Sequence, residues 1–201
     1  MAELPQGRIN KEKVLLEGND AISVYNRGYY GIPGTDGVQL TGFEGLHLVE
    51  LGRIEIFSFS HILSEEEIMQ YFSELHPDFM GRYLVYKDLR NRGYIVNQGI
   101  GSSFFFRLYL RGHIPKRDSA TYYITPLQEG KSINLDELDD LVKTANQSKK
   151  ELVFGLVDAS GDVSYLKVDQ LYPIQLNNKE FSNFEKWNWQ NVWDDYISSQ
   201  K

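Results

Sequence analysis

Between Asp78 and Val168 the chain reads helix, strands, helix, hairpin, and that order most constrains what it can fold into. Asp78 supplies an N-cap for a helix running to Arg92, and Gly93 supplies its stop. The late turns of this helix carry Lys and Arg, which suits the negative end of a helix dipole. Strand-like runs follow at Tyr94–Asn97, Phe104–Leu110 and Thr121–Leu127. A further helix has Asn134 as N-cap, with Glu137 three residues on. Leu135, Leu138, Leu141, Val142 and Ala145 share its apolar stripe. Leu152–Val157 and Val163–Val168 then form a hairpin around Ala-Ser-Gly. This succession predicts an α/β sheet domain with mixed strands.

The first part of the chain reads as β-rich. Lys13–Glu17 and Ala21–Tyr25 are short strand-like runs, and Tyr29–Gly37 is a Gly/Pro loop. Phe43–Leu51 reads as a short helix, weakened by Gly45. Arg53–Phe59 alternates apolar and polar residues as a strand does. Ser64 and Glu67 form a capping box, and Ile68, Tyr71, Phe72 and Leu75 fall on one face of the helix it starts. His76-Pro77 ends that helix, because the residue before a proline avoids the helical region. The expected fold class is therefore α/β (α+β): a small mixed N-terminal domain, residues 1–80, and a mixed-sheet C-terminal domain, residues 81–175. A tail, residues 176–201, holds Trp187, Trp189 and Trp193. Trp189, Trp193 and Ile197 are spaced as the apolar face of a short helix, expected to pack on its own subunit.

Cysteine is absent, so neither a disulfide framework nor a thiolate metal site is available. The N-terminus is polar and lacks the apolar stretch of a signal peptide, and no window reaches a membrane span. A soluble, cytoplasmic protein is expected. The net charge of −7 is unevenly spread. Residues 1–80 carry 5 Lys/Arg against 13 Asp/Glu, whereas residues 82–117 carry 8 Lys/Arg against a single acid, Asp88. The basic run is either a solvated face or a phosphate-attracting surface.

YLVYKDLRNRGYIV, then FFFRLY, SKKELVFGLVD and the turn Asp158-Ala-Ser-Gly-Asp162 occur in an order that resembles the C-terminal domain of archaeal tRNA-splicing endonucleases. The resemblance covers about Arg82–Pro173 and is looser over the first eighty residues. It implies metal-free RNA cleavage with no cofactor. A Tyr takes the proton of the ribose 2′-OH, a His protonates the departing 5′ oxygen, and a Lys offsets charge on the phosphorane. The products are a 2′,3′-cyclic phosphate and a 5′-hydroxyl. By motif, the Tyr is Tyr109 in FRLY, and the Lys is Lys150, with Lys149 as the one-residue alternative. The His of an HSxYLV-like pattern falls on Ser119. A serine hydroxyl is too weak an acid for that role, and His113, six residues earlier, is the nearby substitute. His47, His61 and His76 read as structural or surface residues. The FGxDF-like segment before the Tyr is degenerate here, and Lys143 stands where the family carries an Arg that stacks on a bulged base. Lys keeps the charge but not the planar fork. Lys143, Arg107 and Arg111 are the expected RNA contacts.

The same resemblance implies an assembly with two active sites, in which an acidic turn of one subunit enters a basic pocket of another. Asp158 and Asp162 are the expected contact residues. A chain without the His fits the structural subunit of a heterotetramer, partnered by a catalytic subunit and acting on precursor tRNA with bulge–helix–bulge sites. The alternatives are a self-sufficient homo-oligomeric endonuclease using His113 as the acid, and a non-enzymatic RNA- or protein-binding module. A metal-dependent nuclease finds no support, because Glu151 lacks the Lys two residues on that such a site needs.

Overall fold

A computed structural model describes residues 4–99 and 105–169. The expected Trp-rich tail lies outside the described residues. Two mixed sheets are built in sequence order. The first contains β1 (Gln6–Asn10), β2 (Lys13–Leu16), β3 (Ile32–Pro33), β4 (Val38–Thr41), β5 (Glu55–Ser58) and β6 (His61–Ile62), ordered β3-β4-β2-β1-β5-β6. β1 runs parallel to β5, and the other neighbours are antiparallel. The second sheet contains β7 (Ile95–Gln98), β8 (Phe106–Tyr109), β9 (Tyr122–Gln128), β10 (Glu151–Val157) and β11 (Val163–Val168), ordered β11-β10-β9-β8-β7. Only β9 and β10 are parallel, as a crossover through an intervening helix requires. That helix is α5 (Leu135–Gln147). The α/β fold with mixed strands is as expected.

Helix α4 (Phe79–Asn91) joins the halves. It packs against β7, β9 and β10 on one side and against two upstream helices on the other, α2 (Gly42–Glu50) and α3 (Glu65–Leu75). This explains why Phe79, Tyr83, Val85, Tyr86 and Leu89 are all buried. Phe79 stacks on Phe43 of α2 (centroids 4.7 Å) and on Phe72 of α3 (5.3 Å), and Phe43 meets Phe106 of β8 edge-on at 5.4 Å. Such offset and edge contacts add to the burial of area itself. One core cluster consequently runs from Val14 to Val157.

Several local expectations hold. Ser64 and Glu67 form a reciprocal capping box, and Asn134 accepts from Glu137 N at 2.7 Å. Others do not. Ala21–Tyr25 is not a strand but part of α1 (Asn19–Gly28). Its β-branched residues suggested a strand, yet Ala21 and Val24 are buried while Ile22 is exposed, a helical spacing. Asp78 does not cap α4 with its side chain; the carboxylate pairs with Arg82 instead. Leu135 is 74% exposed and leaves the apolar stripe of α5. Pro126 is tolerated within β9 because, among the described residues, β8 pairs only as far as Ile124, leaving its missing N–H without a ladder position to fill.

Candidate functional site

Two backbone bonds set the end of the second sheet where the motif residues meet. Thr121 N donates to Leu108 O at 2.9 Å, and Glu151 N donates to Thr121 O at 3.1 Å. Leu108 and Glu151 both pair with Tyr122. Tyr109, which follows Leu108, and Lys150, which precedes Glu151, therefore both lie at this end of the sheet. Lys149 adopts a left-handed φ of 54° and Lys150 N donates to Ala145 O at 2.9 Å, so α5 turns into β10 with Lys150 directly before the strand. Arg107 pairs with Tyr123, which belongs to the cluster under α5. By strand alternation Tyr109 shares that α5-side face.

The surroundings of these residues differ. Tyr109 is 5% exposed, so its phenol is enclosed by its own chain. Ser119 is exposed in the loop just before β9. His113 follows β8 in a turn closed by its N–H donating to Leu110 O at 3.0 Å, and its Nδ1 is buried without a hydrogen-bond partner. Lys143 is exposed on α5 and pairs with Asp139, whose carboxylate raises its pKa. Asp158 and Asp162 lie at the opposite end of β10, about 20 Å away at the usual rise per strand residue. The structure thus gathers Tyr109, the Ser119 loop and Lys150, and separates them from the acidic turn.

Asp158 is occupied within that turn. Its Oδ1 accepts from Ser160 N at 2.8 Å and Asp162 N at 2.9 Å, an Asx-type arrangement. Asp162 is exposed. The two aspartates therefore have different duties: one shapes the turn and the other faces outward.

The basic run does not become a continuous surface. Arg82 pairs with Asp78 and lies over Phe105, Lys87 pairs with Glu50, and Arg92 pairs with Asp88. Arg107 donates Nε to Gln98 O at 3.0 Å, and Arg111 donates Nη2 to Arg92 O at 2.6 Å. Arg90 is buried, donating to Gly28 O and to the Tyr86 hydroxyl. Much of the charge that looked available for phosphate holds the fold together.

Two buried charged residues were not anticipated. Arg90 gave no signal, because its burial depends on Tyr30, sixty residues upstream. Glu44 did give one: Thr41-x-x-Glu44 is a capping-box pattern ahead of α2, and both of its bonds form. Glu44 also accepts from Gly31 N at 2.8 Å, tying the loop after α1 to α2. Among the described residues no cluster of three or more His, Asp or Glu could hold a metal ion, and no helix is long and apolar enough to cross a membrane.

A small mixed sheet followed by a nuclease-like mixed sheet with helices packed on it is the class this fold defines. The model of the tRNA intron endonuclease N-terminal domain matches residues 6–69, and that of its catalytic C-terminal domain matches residues 79–165. A tRNA-splicing endonuclease of Methanothermobacter thermautotrophicus is 31% identical over 169 residues, covering 84% of this chain and 98% of the relative. One from Methanococcus vannielii is 34% identical over 165 residues, covering 82% and 93%. One from Methanococcoides burtonii is 33% identical over 163 residues, covering 81% of this chain but 46% of the relative, so the chain spans about half that protein's length. The chain belongs to the tRNA intron endonuclease family.

Proposed function

We propose that this chain is the structural subunit of a tRNA-splicing endonuclease that removes introns from precursor tRNA at bulge–helix–bulge sites. In such an assembly a catalytic partner does the metal-free chemistry. A Tyr base takes the 2′-OH proton, the 2′ oxygen attacks phosphorus, a His acid protonates the leaving 5′ oxygen, and a Lys balances the phosphorane charge. The cyclic phosphate and 5′-hydroxyl ends follow from that attack. The observation that carries the reading is at the sheet end of Tyr109 and Lys150: the loop position matching the family His holds Ser119. The burial of Tyr109 points the same way, since a general base must reach the hydroxyl it deprotonates.

His113 favours a second reading, in which the chain cuts alone. Its ring sits in the turn directly after β8, and its Nδ1 has no partner among the described residues. The test is incubation of the purified chain with a bulge–helix–bulge RNA in EDTA. No cleavage alone, with cleavage once a His-bearing catalytic subunit is added, is the expected result. Cleavage by the chain alone that is lost in His113→Ala would establish the second reading instead.

A further inference from the structure

The α5-side face of the second sheet holds an open cavity of about 790 Å³, towards the end of β9 remote from Tyr109. Thr125 lines it. That residue is 6% exposed, and its hydroxyl has no hydrogen-bond partner. It pairs in register with Phe154, which packs in the cluster beneath α5, so the Thr125 side chain faces the cavity. A buried hydroxyl left unpaired costs free energy that a bound donor would recover.

The rim is acidic. Asp136, Glu137 and Asp140 project from α5 and Asp78 adds a fourth carboxylate; Lys131 is the one cation among the described lining residues. The dipole at the helix start accounts for acids in the first turn, but not for Asp140 in the next. Lys143, the nearest cation on the helix, pairs with Asp139 rather than with these three. Between rim and floor lie Leu127, Ile133 and Leu141. The three carboxylates do not form a metal-holding group. An acidic rim over an apolar wall suits a cation carried on an aliphatic stem, and it repels nucleic acid phosphate.

We propose that this cavity receives a basic, partly apolar segment of a partner protein. An arginine or lysine lays its stem along Leu127, Ile133 and Leu141, with its head among Asp136, Glu137 and Asp140. An N–H of the segment donates to the Thr125 hydroxyl. The inference does not rest on the catalytic reading, since the cavity is separate from the end of the sheet that holds Tyr109.

The test is amide-resolved NMR of the full chain with three probes at one salt concentration: amidated Arg-Leu-Arg-Leu-Arg, amidated Glu-Leu-Glu-Leu-Glu, and a short oligouridine. The basic peptide should shift residues 125–141 and saturate. Asp136→Asn/Asp140→Asn, on the exposed face of α5, should weaken it about tenfold, and the near-isosteric Thr125→Val about threefold. Equal shifts at the acidic start of α3, Glu65–Glu67, would reduce the effect to general charge attraction and overturn the proposal. So would unchanged affinity in both variants, or binding of the acidic peptide or of the RNA at residues 125–141.

Discussion

Arg90 of α4 lies across the face of Tyr30, its guanidinium carbon 4.0 Å from the ring centroid, and donates Nη1 to Gly28 O at 2.9 Å. The chain after α1 is thereby pinned to the helix that carries the second sheet. Among the described residues the cation makes no ion pair, although the Glu44 carboxylate acts on its charge; aromatic faces, a phenol oxygen and a carbonyl replace water around it. Removing it leaves Gly28 O and the Tyr86 hydroxyl without their donor and opens a cavity. Arg90→Ala should cost about 3 kcal/mol, read as a lower midpoint in urea with little change in slope. Arg90→Lys should recover only part of this, because an ammonium cannot both stack and reach two acceptors.

His47 sets a pH dependence. It is 3% exposed, and its pKa is lowered to about 4, first by burial and then by Arg90, with Lys87 and Arg53 adding and Glu50 opposing. In the unfolded chain it titrates near 6.5. Between those values the unfolded state binds the proton and the folded state does not, so stability rises with pH across the window. It should be fully present above about pH 6.5 and be lost progressively towards pH 4. Urea midpoints measured through this range should fall on acidification, and His47→Gln should flatten the fall. An equal slope in the variant would assign the effect to other groups.

At Gly155, β10 packs tightly against α4. A Cβ built there would lie 2.7 Å from Cγ1 of Val85, a stiff, fully buried side chain. Neither strand nor helix can yield without disturbing the aromatic stack beside it. Gly155→Ala should destabilise by about 1–3 kcal/mol through overpacking. Gly155→Ala/Val85→Ala should regain part of that loss, and thermal melts of the single and double variants check it.

What the sequence made legible follows the range of the interaction. The Ser64–Glu67 and Asn134–Glu137 caps are contacts three residues apart, and both are present as read. The helix at Ala21–Tyr25 was misread because its run is short and β-branched, and its N-cap, Gly18, offers no side-chain cap. The burial of Ala21 and Val24 is set by strands elsewhere in the chain. Motif order singled out Tyr109 and Lys150, and the register of β8, β9 and β10 brings both to the same end of the sheet. The fate of the basic run was not legible at all. Whether an arginine meets solvent, a carboxylate or an aromatic ring is decided by residues such as Tyr30, Asp78 and Phe105, and no local pattern reports them.

The two aspartates of the β10–β11 turn should separate in experiment. Asp158 holds two backbone N–H groups of its own turn, so Asp158→Ala should cost about 1 kcal/mol of stability in the isolated chain. Asp162 offers its carboxylate outward, so Asp162→Ala should leave the melt unchanged. If the turn enters a basic pocket of a partner subunit, Asp162→Ala should instead weaken assembly, measured by sedimentation of the mixed subunits. Unchanged assembly with Asp162→Ala would limit the turn to shaping the hairpin.

Tyr109 and Lys150 give the last discrimination, because the structural-subunit reading makes them bystanders to the chemistry. In an assembly with a catalytic partner, Tyr109→Phe and Lys150→Ala in this chain should each leave the cleavage rate within about twofold. The corresponding changes in the partner should cost at least about a hundredfold, the usual loss for a positioned base or charge. Tyr109→Phe keeps the buried ring and its packing, so a lower rate could not be blamed on a collapsed sheet end. A large loss from either substitution in this chain, at unchanged assembly, would mean that the phenol becomes exposed on binding RNA and that the site is used.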